Sequence, residues 1–597
     1  MQLQQDRRDK RTSGEGNRGM VLLGVALLLL AGVGSRLGYL QLVRGSYHRE
    51  LAENNRIRLI PIRPPRGRIL DRYGRVLATN RLSYSVFLEP MQLRARQWPE
   101  VLGRLSGFIA VPADRMAQKL RIAGYNSPYP VRVLQNVEPK LVTVLREHIQ
   151  QLPGIRVDVE WMRTYPNGPI ASHLLGYTGE ISEQQLAERK EQGYRLGDIV
   201  GKAGVERLLE EQLHGEWGGE PVEVDGAGQV VRVLGERPPK AGADVRLSID
   251  LSLQKAAESA LHSLQKRGAV VALDPRTGQV LAMASSPSYD ANILSGRIAT
   301  ADWKRLQTPE RPLLNRALRP YPTASTFKII MTAAALESGK FNPASTLQTF
   351  GGLRIGSRVF REHDGGGFGR LGFVGALAIS SDTFFYQVGL RIGPEQIGHW
   401  ARNFGFGTRT GLGLPSESNG IVPTPEWKMQ RFGQRWYPGD TANTSIGQGM
   451  VLSTPLQNAI MVSAIANGGY RVQPHLQLDS RPGLSPVGLA PATLNTIRLG
   501  LIEVVRGGTA RRSLGNIGIP NAGKTGSAEH GLRKARQTHA VFVGYAPILQ
   551  PQIAVSVFLE NGGHGGSDAA PIAKKIYKAY FSHGTKKSAS TSTKHVE

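Results

Sequence analysis

An apolar run near the N-terminus constrains this chain more than any other feature of its sequence. Residues 20–43 read MVLLGVALLLLAGVGSRLGYLQLV, which is about the length of one bilayer-spanning helix. The one charge in the run, Arg36, lies near its far end, where a long side chain can reach the lipid interface. Five basic and three acidic residues precede the run, so the positive-inside rule keeps the N-terminus cytoplasmic and exports everything after Val43.

A cleaved signal peptide is the competing interpretation of this run. Ala31–Ser35 offers small residues, but no A-x-A cleavage site follows the leucine-rich stretch. No second segment of the sequence is apolar enough to span a bilayer. We therefore predict a single-pass protein with a cytoplasmic segment over residues 1–19 and an uncleaved transmembrane anchor over residues 20–43.

Length and composition limit what the rest of the chain can be. The 597 residues exceed one hydrophobic core, so about two or three domains are expected. The net charge of +27 first suggests nucleic acid, but the basic residues are spread along the chain and form no nucleic-acid module. A solvated surface accounts for most of them, and anionic lipid or an acidic polymer fits as well, so we expect no nucleic-acid partner. The absence of cysteine excludes disulfides, thiol catalysis and cysteine-ligated zinc.

Residues 44–240 have an irregular, β-rich pattern. Tyr84–Glu89 (YSVFLE) and Ile155–Glu160 (IRVDVE) alternate as strands do. Ala203–Leu213 (AGVERLLEEQL) is typical of one amphipathic helix. The Pro- and Gly-containing stretch Arg237–Gly242 predicts a domain boundary.

From residue 241 onward the pattern predicts an antiparallel sheet covered by helices. The expected elements are a helix over Leu251–Lys266, a hairpin of Ala269–Asp274 and Val280–Ala284, strands over His539–Tyr545 and Gln552–Glu560, and a helix over Ala570–Phe581. On the first helix, the apolar face consists of Leu253, Ala257, Ala260 and Leu264. The polar, low-complexity residues 582–597 predict a disordered tail.

The first motif with catalytic potential is Ser325–Lys328 (STFK), which opens a strongly helical stretch. A serine and a lysine three residues apart share one helix face, so a neutral lysine can take the proton of the serine hydroxyl. The helix N-terminus adds N–H groups that can stabilise an oxyanion. The same spacing occurs at Ser252–Lys255 and Ser263–Lys266, where a solvated helix face is the better interpretation.

Two further motifs follow in order. Ser380–Asp382 (SSD) lies 55 residues after Ser325, between two helical stretches, where it can also serve as a helix cap. Lys524–Gly526 (KTG) occurs once. Its glycine leaves room for a substrate strand, while Lys524 and Thr525 offer a charge and a hydroxyl to a substrate carboxylate. The three motifs together are the signature set of penicillin-binding proteins and serine β-lactamases.

Beyond the three motifs, the chain resembles the class B penicillin-binding proteins, and most closely the elongation type. The stretches that carry the resemblance are Arg66–Arg72 (RGRILDR) with Gly74 and Leu77–Ala78, then Gly201, Gly204 and Glu206, Ser445–Gly449 (SIGQG), Thr454–Gln457 (TPLQ) and residues 560–575 (ENGGHGGSDAAPIAKK). Aspartate at position 382 is also typical of the elongation type. The resemblance implies an α+β protein with a membrane anchor, an elongated pedestal of the dimerisation type over residues 44–240, and a transpeptidase domain of the serine β-lactamase/DD-peptidase fold over residues 241–581.

The resemblance also implies an activity and roles for the motif residues. A serine-type D-Ala-D-Ala transpeptidase/carboxypeptidase uses Ser325 to attack the penultimate D-Ala of a stem peptide, with Lys328 as general base. Ser380 and Asp382 relay a proton to the leaving amine. Lys524 and Thr525 hold the terminal carboxylate beside Gly526, and the N–H groups of Ser325 and Ser527 form the oxyanion hole. An amine from a second stem peptide resolves the acyl-enzyme.

Partners and location follow from the same resemblance. They are peptidoglycan stem peptides, β-lactams, the membrane, a SEDS-family lipid II polymerase of the rod-shape type (RodA) and other elongation-complex membrane proteins. The protein is expected in the cell inner membrane, with its catalytic domain in the periplasm.

The sequence departs from the family at two places near these motifs. Thr323–Ala324 stands where relatives often have Pro-Gly before the nucleophile, which can alter the turn but removes no catalytic group. Some relatives carry a metal site near the second motif that uses His and sometimes Cys. Here position 381 is Ser, and His363 with Asp364 alone is a poor site, so we predict no metal and no cofactor.

Other function classes remain open on sequence alone. A β-lactamase would need a deacylating base and no pedestal. A β-lactam sensor would need a cytoplasmic output domain, whereas 19 residues precede the anchor. A scaffold that only activates a SEDS glycosyltransferase would not need all three motifs. A division-type paralogue is the closest enzymatic rival.

Overall fold

The structure, a computed structural model, describes residues 6–47, 57–127, 129–225, 230–296, 298–481, 483–530 and 537–592. Helix α1 spans Asp6–Gly38 and continues as a π-helical turn over Tyr39–Val43. Arg18–Val43 has a mean hydropathy of 2.1, and no part of it is buried by the rest of the chain. Within the described ranges this is the one helix long and apolar enough to cross a membrane, as the sequence predicts.

The next domain, the pedestal, combines short strands with short helices. Its strands are β1 (Ile57–Ile62), β2 (Ile69–Leu70), β3 (Val76–Leu88), β4 (Val131–Val137), β5 (Ile155–Thr164), β6 (Thr178–Glu180), β7 (Ile199–Gly201), β8 (Gly218–Val224) and β9 (Val230–Val233). Its helices are α2 (Trp98–Phe108), α3 (Ala113–Ala123), α4 (Pro139–Glu147), α5 (Ser172–Leu175), α6 (Glu183–Arg189), α7 (Gly204–Leu208) and α8 (Glu210–His214).

The long strand β3 organises the pedestal. It pairs antiparallel with β2, β4 and β5. The two strands predicted over Tyr84–Glu89 and Ile155–Glu160 fall on β3 and β5, so they are neighbours in one sheet. Helices α2, α3 and α4 pack on that sheet. They share with it a core that includes Val86, Leu88, Trp98, Leu105 and Leu145. Strands β1, β8 and β9 form a separate antiparallel sheet.

A buried ion network, which we call the neck network, closes the base of the pedestal. Arg66 donates to Glu206 and to Glu210, each at 2.7 Å, and Arg163 donates to Glu206 at 2.6 Å. Burial would raise the pKa of Glu206, but the charges of Arg163 and Arg66 outweigh it and hold that pKa below its ordinary value. The residues that carry the sequence resemblance here are therefore structural rather than exposed.

The transpeptidase domain contains the remaining elements. Its helices are α9 (Leu251–His262), α10 (Ala291–Leu294), α11 (Thr300–Leu306), α12 (Lys328–Glu337), α13 (Phe373–Ile379), α14 (Asp382–Ile392), α15 (Pro394–Asn403), α16 (Pro425–Phe432), α17 (Pro438–Ser445), α18 (Pro455–Ala466), α19 (Pro491–Arg506), α20 (Arg511–Leu514) and α21 (Ala570–Ser592). Its strands are β10 (Val245–Arg246), β11 (Gly268–Leu273), β12 (Val280–Ser286), β13 (Tyr321–Pro322), β14 (Thr346–Gln348), β15 (Gly352–Ile355), β16 (Arg358–Arg361), β17 (Arg370–Gly372), β18 (Leu452–Ser453), β19 (Tyr470–Val472), β20 (Leu484–Pro486), β21 (Ala522–His530), β22 (Gln537–Ala546) and β23 (Ile553–Leu559).

The domain is built on a five-stranded antiparallel sheet in the order β12-β11-β23-β22-β21. Helices α9 and α21 pack on one face, and α18 packs on the other, so β11 and β23 are fully buried and β22 is buried from Ala540 onward. The predicted antiparallel sheet covered by helices is confirmed. Strand β21 lies at the edge of this sheet, which leaves one side of it free to face the site described below.

The pedestal and the transpeptidase domain share a core and several polar contacts. One cluster joins Ile69, Leu77 and Val205 of the pedestal to Val271, Val280 and Leu456 of the second domain. Arg75 contacts Asp71 at 2.6 Å and Asp250 at 2.7 Å. The Ala171 N–H donates to Glu258 at 2.6 Å, and burial raises the pKa of that carboxyl to about 7. The two domains are thus packed against each other rather than merely linked.

Three details differ from the sequence predictions. The helix predicted over Ala203–Leu213 is two short helices, α7 and α8, because Leu209 has φ −109° and ψ 27°. Helix α9 ends at His262, and Leu264 beyond it is 40% exposed instead of lying on the apolar face. Helix α21 continues past Phe581 to Ser592, where a disordered tail is predicted. Residues 593–597 lie outside the described residues.

Candidate active site

Ser325 lies in a one-turn 3₁₀ helix, Ala324–Phe327, that leads directly into α12. Nine residues of α12, from Lys328 to Leu336, are buried in the domain core, so the apolar run FKIIMTAAAL makes it a central helix. Ala324 adopts φ 52° and its N–H donates to the Gly447 carbonyl at 2.9 Å. A Cβ at Gly447 would lie 2.0 Å from the Ala324 carbonyl, which explains why glycine is needed in the SIGQG stretch.

Gly526 of the third motif packs directly against the nucleophile turn. A Cβ at this position would lie 2.9 Å from Ala324 Cβ and 3.2 Å from Ser325 N. Any side chain would therefore press on the backbone that carries the Ser325 hydroxyl and its N–H. The predicted role of Gly526, which is to remove a side chain beside the substrate path, has this additional steric reason.

Lys328 connects the first motif to the second. Its side chain is fully buried, and its Nζ donates to Asp382 Oδ1 at 2.6 Å, to the Ser380 carbonyl at 2.6 Å and to Ser380 Oγ at 3.2 Å. Three predicted catalytic residues from two motifs thus meet at one amine. Ser325 is on the same turn of chain as Lys328, three residues earlier, and is partly exposed.

The second motif lies at the junction of α13 and α14. Ser380 adopts a left-handed conformation with φ 63°, which ends α13 and turns its side chain and carbonyl toward Lys328. The helix cap is Ser381, whose hydroxyl accepts from the Phe384 N–H. The cap therefore falls on Ser381, and Ser380 beside it is left to contact Lys328.

Glu362, which the sequence analysis missed, contacts the same junction. Its side chain follows β16 and is fully buried. It accepts hydrogen bonds from Ser381 Oγ at 2.7 Å, the Asp382 N–H at 2.6 Å and Thr383 Oγ1 at 2.8 Å. The sequence signal is weak, because Glu362 is one of two acids, with Asp364, that follow the alternating run RVFR.

A metal site was considered at this junction, because Glu362, His363 and Asp382 present ligand atoms within 4.8 Å of one another. These atoms are already engaged. Asp382 Oδ1 accepts from the Lys328 amine at 2.6 Å, and His363 Nδ1 lies 3.0 Å from Glu362 Oε1. A cation would have to displace both the ammonium and the hydrogen bonds to Glu362, so this donor set fits a metal poorly. The absence of a metal stays a prediction.

The third motif brings a second buried amine to the site. Lys524 is fully buried on β21, and its Nζ donates to the Thr525 carbonyl at 2.9 Å. Burial, together with the charge of Lys328, holds the pKa of Lys524 well below its ordinary value, against an opposing effect of Asp382. The site can therefore hold one of its two amines uncharged, since two ammonium groups this close repel each other.

Thr525 and Ser527 of β21 contact different neighbouring segments. The Thr525 hydroxyl lies 2.5 Å from the Thr509 hydroxyl, in the segment between α19 and α20. Ser527 Oγ accepts from the Gly565 N–H at 3.2 Å, and the Ser527 carbonyl accepts from Gln448 Nε2 at 3.4 Å. Strand β21 is thus held by the SIGQG stretch and by the glycine-rich stretch near residue 565. Sequence analysis did not identify Thr509.

Comparison with known proteins agrees with this arrangement. A family model for the penicillin-binding protein transpeptidase domain matches residues 268–578, and one for the penicillin-binding protein dimerisation domain matches residues 61–247. The peptidoglycan D,D-transpeptidase MrdA of Acinetobacter baumannii is 34% identical over 588 residues, covering 93% of this chain and 86% of that protein.

Two solved structures are also similar along nearly the whole chain. The complex between penicillin-binding protein PBP2 and MreC from Helicobacter pylori matches with a TM-score of 0.80 at 31% identity, covering 89% of this chain and all of that one. A structure described as the structural coordination of polymerization and crosslinking by a peptidoglycan synthase complex matches with a TM-score of 0.69 at 33% identity, covering 94% and 97%. The chain belongs to the class B penicillin-binding proteins, as a PBP2/MrdA-type peptidoglycan D,D-transpeptidase of the elongation type and a target of β-lactams.

Proposed function

We propose that Ser325, Lys328, Ser380, Asp382 and Lys524 carry out the transpeptidation of this chain. Ser325 Oγ attacks the penultimate D-Ala carbonyl of a donor stem peptide and loses its proton to an amine of the site. The leaving D-Ala takes a proton relayed through Ser380, and an amine of a second stem peptide then resolves the acyl-enzyme.

The observation that carries this proposal is the meeting of two motifs at Lys328. The Nζ of Lys328 contacts Ser380 Oγ at 3.2 Å and Asp382 Oδ1 at 2.6 Å, one helical turn after the nucleophile. A proton can therefore pass among Ser325, Lys328 and Ser380 with small rearrangements, as a general base and a general acid require. Asp382 also holds the Lys328 amine in place beside Ser380.

Substrate binding is proposed for the edge of the sheet. The terminal carboxylate of the donor lies beside Thr525, with Lys524 adding positive charge when protonated. The N–H groups of Ser325 and Ser527 polarise the carbonyl that is attacked, since donors aimed at a developing oxyanion are worth about 2.7–4 kcal/mol each. Gly526 leaves the space between them open, which a side chain would close.

Membrane attachment is proposed through the apolar helix at the N-terminus. Residues 20–43 anchor the protein in the cell inner membrane, with residues 1–19 in the cytoplasm and the pedestal (44–240) and transpeptidase (241–581) domains in the periplasm. The support is the exposed, apolar surface of Arg18–Val43 and the excess of basic residues before it.

The partners proposed are a SEDS-family lipid II polymerase of the rod-shape type and MreC-type elongation proteins. The support is the likeness to a PBP2–MreC complex and to a peptidoglycan synthase complex. The anchor helix leaves its whole surface available to lipid and to a multi-spanning partner. Stimulation of that partner should be separable from catalysis, so Ser325→Ala should still stimulate lipid II polymerisation.

The experiment that tests the function is cross-linking with a co-purified polymerase and lipid II. Digestion of the product with a muramidase should release cross-linked muropeptide dimers with the wild-type chain. The Ser325→Ala chain should release monomers only, from glycan strands of unchanged amount. Dimers in the Ser325→Ala reaction would contradict the proposal.

A further inference from the structure

The Glu362 carboxylate is the centre of a dense set of hydrogen bonds at the start of α14. Oε2 accepts from Ser381 Oγ at 2.7 Å and from Thr383 twice, through Oγ1 at 2.8 Å and the N–H at 3.0 Å. Oε1 accepts from the Asp382 N–H at 2.6 Å and from the His363 N–H at 3.2 Å. Both oxygens therefore bind the three residues that follow Ser380.

The character of these bonds requires a carboxylate. Hydroxyls and backbone N–H groups of α14 donate to Glu362, and a helix N-terminus favours negative charge. Burial alone would raise the pKa of the Glu362 carboxyl, but the hydrogen bonds from His363, Asp382 and Ser381 outweigh it and keep that pKa well below its ordinary value. An amide of the same shape would place an NH₂ group against donors.

The residues that Glu362 holds are those that position Lys328. Ser380 has φ 63°, a conformation that a non-glycine residue keeps only when its surroundings impose it. Its neighbours Ser381 and Asp382 are fixed by Glu362, while Asp382 and Ser380 in turn bind the Lys328 amine. A continuous path of hydrogen bonds thus runs from Glu362 to the proposed base.

We propose that Glu362 is a positioning residue for the transpeptidation reaction, which acts through Asp382 and Ser380 to hold Lys328 in line with Ser325. The inference rests on the proposed roles of those residues. The bonds end on Ser381, Asp382 and Thr383, directly after Ser380, so a change at Glu362 is expected to reach the Lys328 amine and not only the stability of the domain. The inference also makes a metal unnecessary, because one carboxylate already orders the residues that a cation would order.

The test separates binding from chemistry in the reaction of the full-length, detergent-solubilised protein with a reporter penicillin. Rapid-mixing kinetics give the dissociation constant of the first complex and the acylation rate constant within it. Glu362→Gln should lower the acylation rate constant by about tenfold or more, because charge-assisted hydrogen bonds are lost, and change the dissociation constant by less than about threefold. The proposed carboxylate-binding residues on β21 are not touched by the change.

Glu417→Gln is the matched control. Glu417 is also a buried carboxylate of this domain, 5% exposed, and accepts from the Thr410 N–H at 2.5 Å, away from the catalytic residues. The Glu417→Gln protein should unfold at a lower temperature than the wild type but keep the wild-type acylation rate constant. If Glu362→Gln acylates like the wild type, or if both variants lose acylation equally, the positioning role is wrong.

A milder variant covers the case in which Glu362→Gln does not fold. Thr383→Val removes the hydroxyl that donates to Glu362 and keeps the backbone N–H. It should lower the acylation rate constant by about threefold with an unchanged dissociation constant, and an unchanged rate constant would overturn the inference.

Treatment of the wild type with a chelator should leave the acylation rate constant unchanged. A loss of acylation that Zn²⁺ restores would show that a metal orders the site instead. Loss of labelling in Ser325→Ala checks the nucleophile independently of Glu362.

Discussion

Lys328 Nζ lies 2.6 Å from Asp382 Oδ1, and the lysine side chain is fully buried. The two residues are 54 positions apart in sequence. Lys328 is the first residue of α12, and Asp382 is the first residue of α14. A buried amine that faces a carboxylate is held in one place. Because Ser381 is the helix cap, the Asp382 side chain is left to bind the Lys328 amine, which supports its proposed part in the chemistry.

The base role predicts that Lys328→Arg slows acylation by penicillin by orders of magnitude. A guanidinium keeps the charge opposite Asp382 but does not give up its proton. The measurement is the acylation rate constant with a reporter penicillin. Lys255→Arg is the control, because Lys255 has the same spacing from Ser252 but is exposed on α9. Near-normal acylation in Lys328→Arg would rule out the base role.

The contact between β21 and the nucleophile turn predicts that Gly526→Ala slows acylation strongly, although the substitution adds only one methyl group. The added methyl group would meet Ala324 Cβ at 2.9 Å and Ser325 N at 3.2 Å, so the nucleophile turn has to shift. A displacement of about 1 Å at a reacting group can cost about 10²-fold in rate. Acylation should fall accordingly in Gly526→Ala and stay normal in Gly507→Ala, where a Cβ meets nothing within 4 Å. Equal rates in both variants would show that the turn yields without consequence.

Buried histidines predict that the protein loses stability in mild acid. Burial lowers the pKa of His173 to about 4, and His173 Nε2 lies 2.6 Å from the Pro312 carbonyl, across the domain junction. The pKa of His539 is likewise lowered by burial to about 4. In the unfolded chain both titrate near 6.5 and bind protons that the folded chain does not, so stability falls as the pH drops from about 6.5 to 4.

The contribution of His173 to this loss is up to about 3 kcal/mol, from the size of its pKa shift. Denaturant unfolding of the wild type and of His173→Gln between pH 4.5 and 7.5 measures it. The glutamine can still donate to Pro312 but takes up no proton, so its stability should depend less on pH. The same pH dependence in both proteins would contradict the assignment.

The neck network predicts a large difference between two arginines of the RGRILDR stretch. Arg66→Ala leaves Glu206 and Glu210 buried with one cation fewer, which typically costs about 3–5 kcal/mol of stability. Arg68→Ala breaks a pair with Asp244 in which the arginine side chain is 54% exposed, and should cost about 0–1 kcal/mol. Thermal unfolding of both variants checks this. Equal losses would mean that the network is not what holds the pedestal base together.

The candidate catalytic residues could be predicted from the sequence because the proposed chemistry requires fixed residue types at fixed spacing. Ser325, Lys328 and Lys524 could be identified from short motifs, and so could the sheet strands that alternate or run apolar, such as Gln552–Glu560. The ordered set of three motifs also separated Ser325–Lys328 from the same spacing at Ser252–Lys255 and Ser263–Lys266.

Features that depend on tertiary contacts were not visible in the sequence. Glu362 is one of two acids, with Asp364, in a polar stretch that carries no motif, and only the fold brings it to α14. The break at Leu209 lies within an amphipathic pattern that is continuous in sequence, and no glycine or proline marks it. Thr509 has no motif at all, and its hydroxyl is recognised only by its contact with Thr525.

The most direct test of the account is mass spectrometry of the intact protein after treatment with penicillin. One adduct of the mass of the antibiotic is expected, and proteolysis should place it on the peptide that contains Ser325. The Ser325→Ala protein should unfold at the same temperature as the wild type and carry no adduct, because Ser325 supplies the hydroxyl that forms the ester. A stable adduct on folded Ser325→Ala protein would contradict the central assignment.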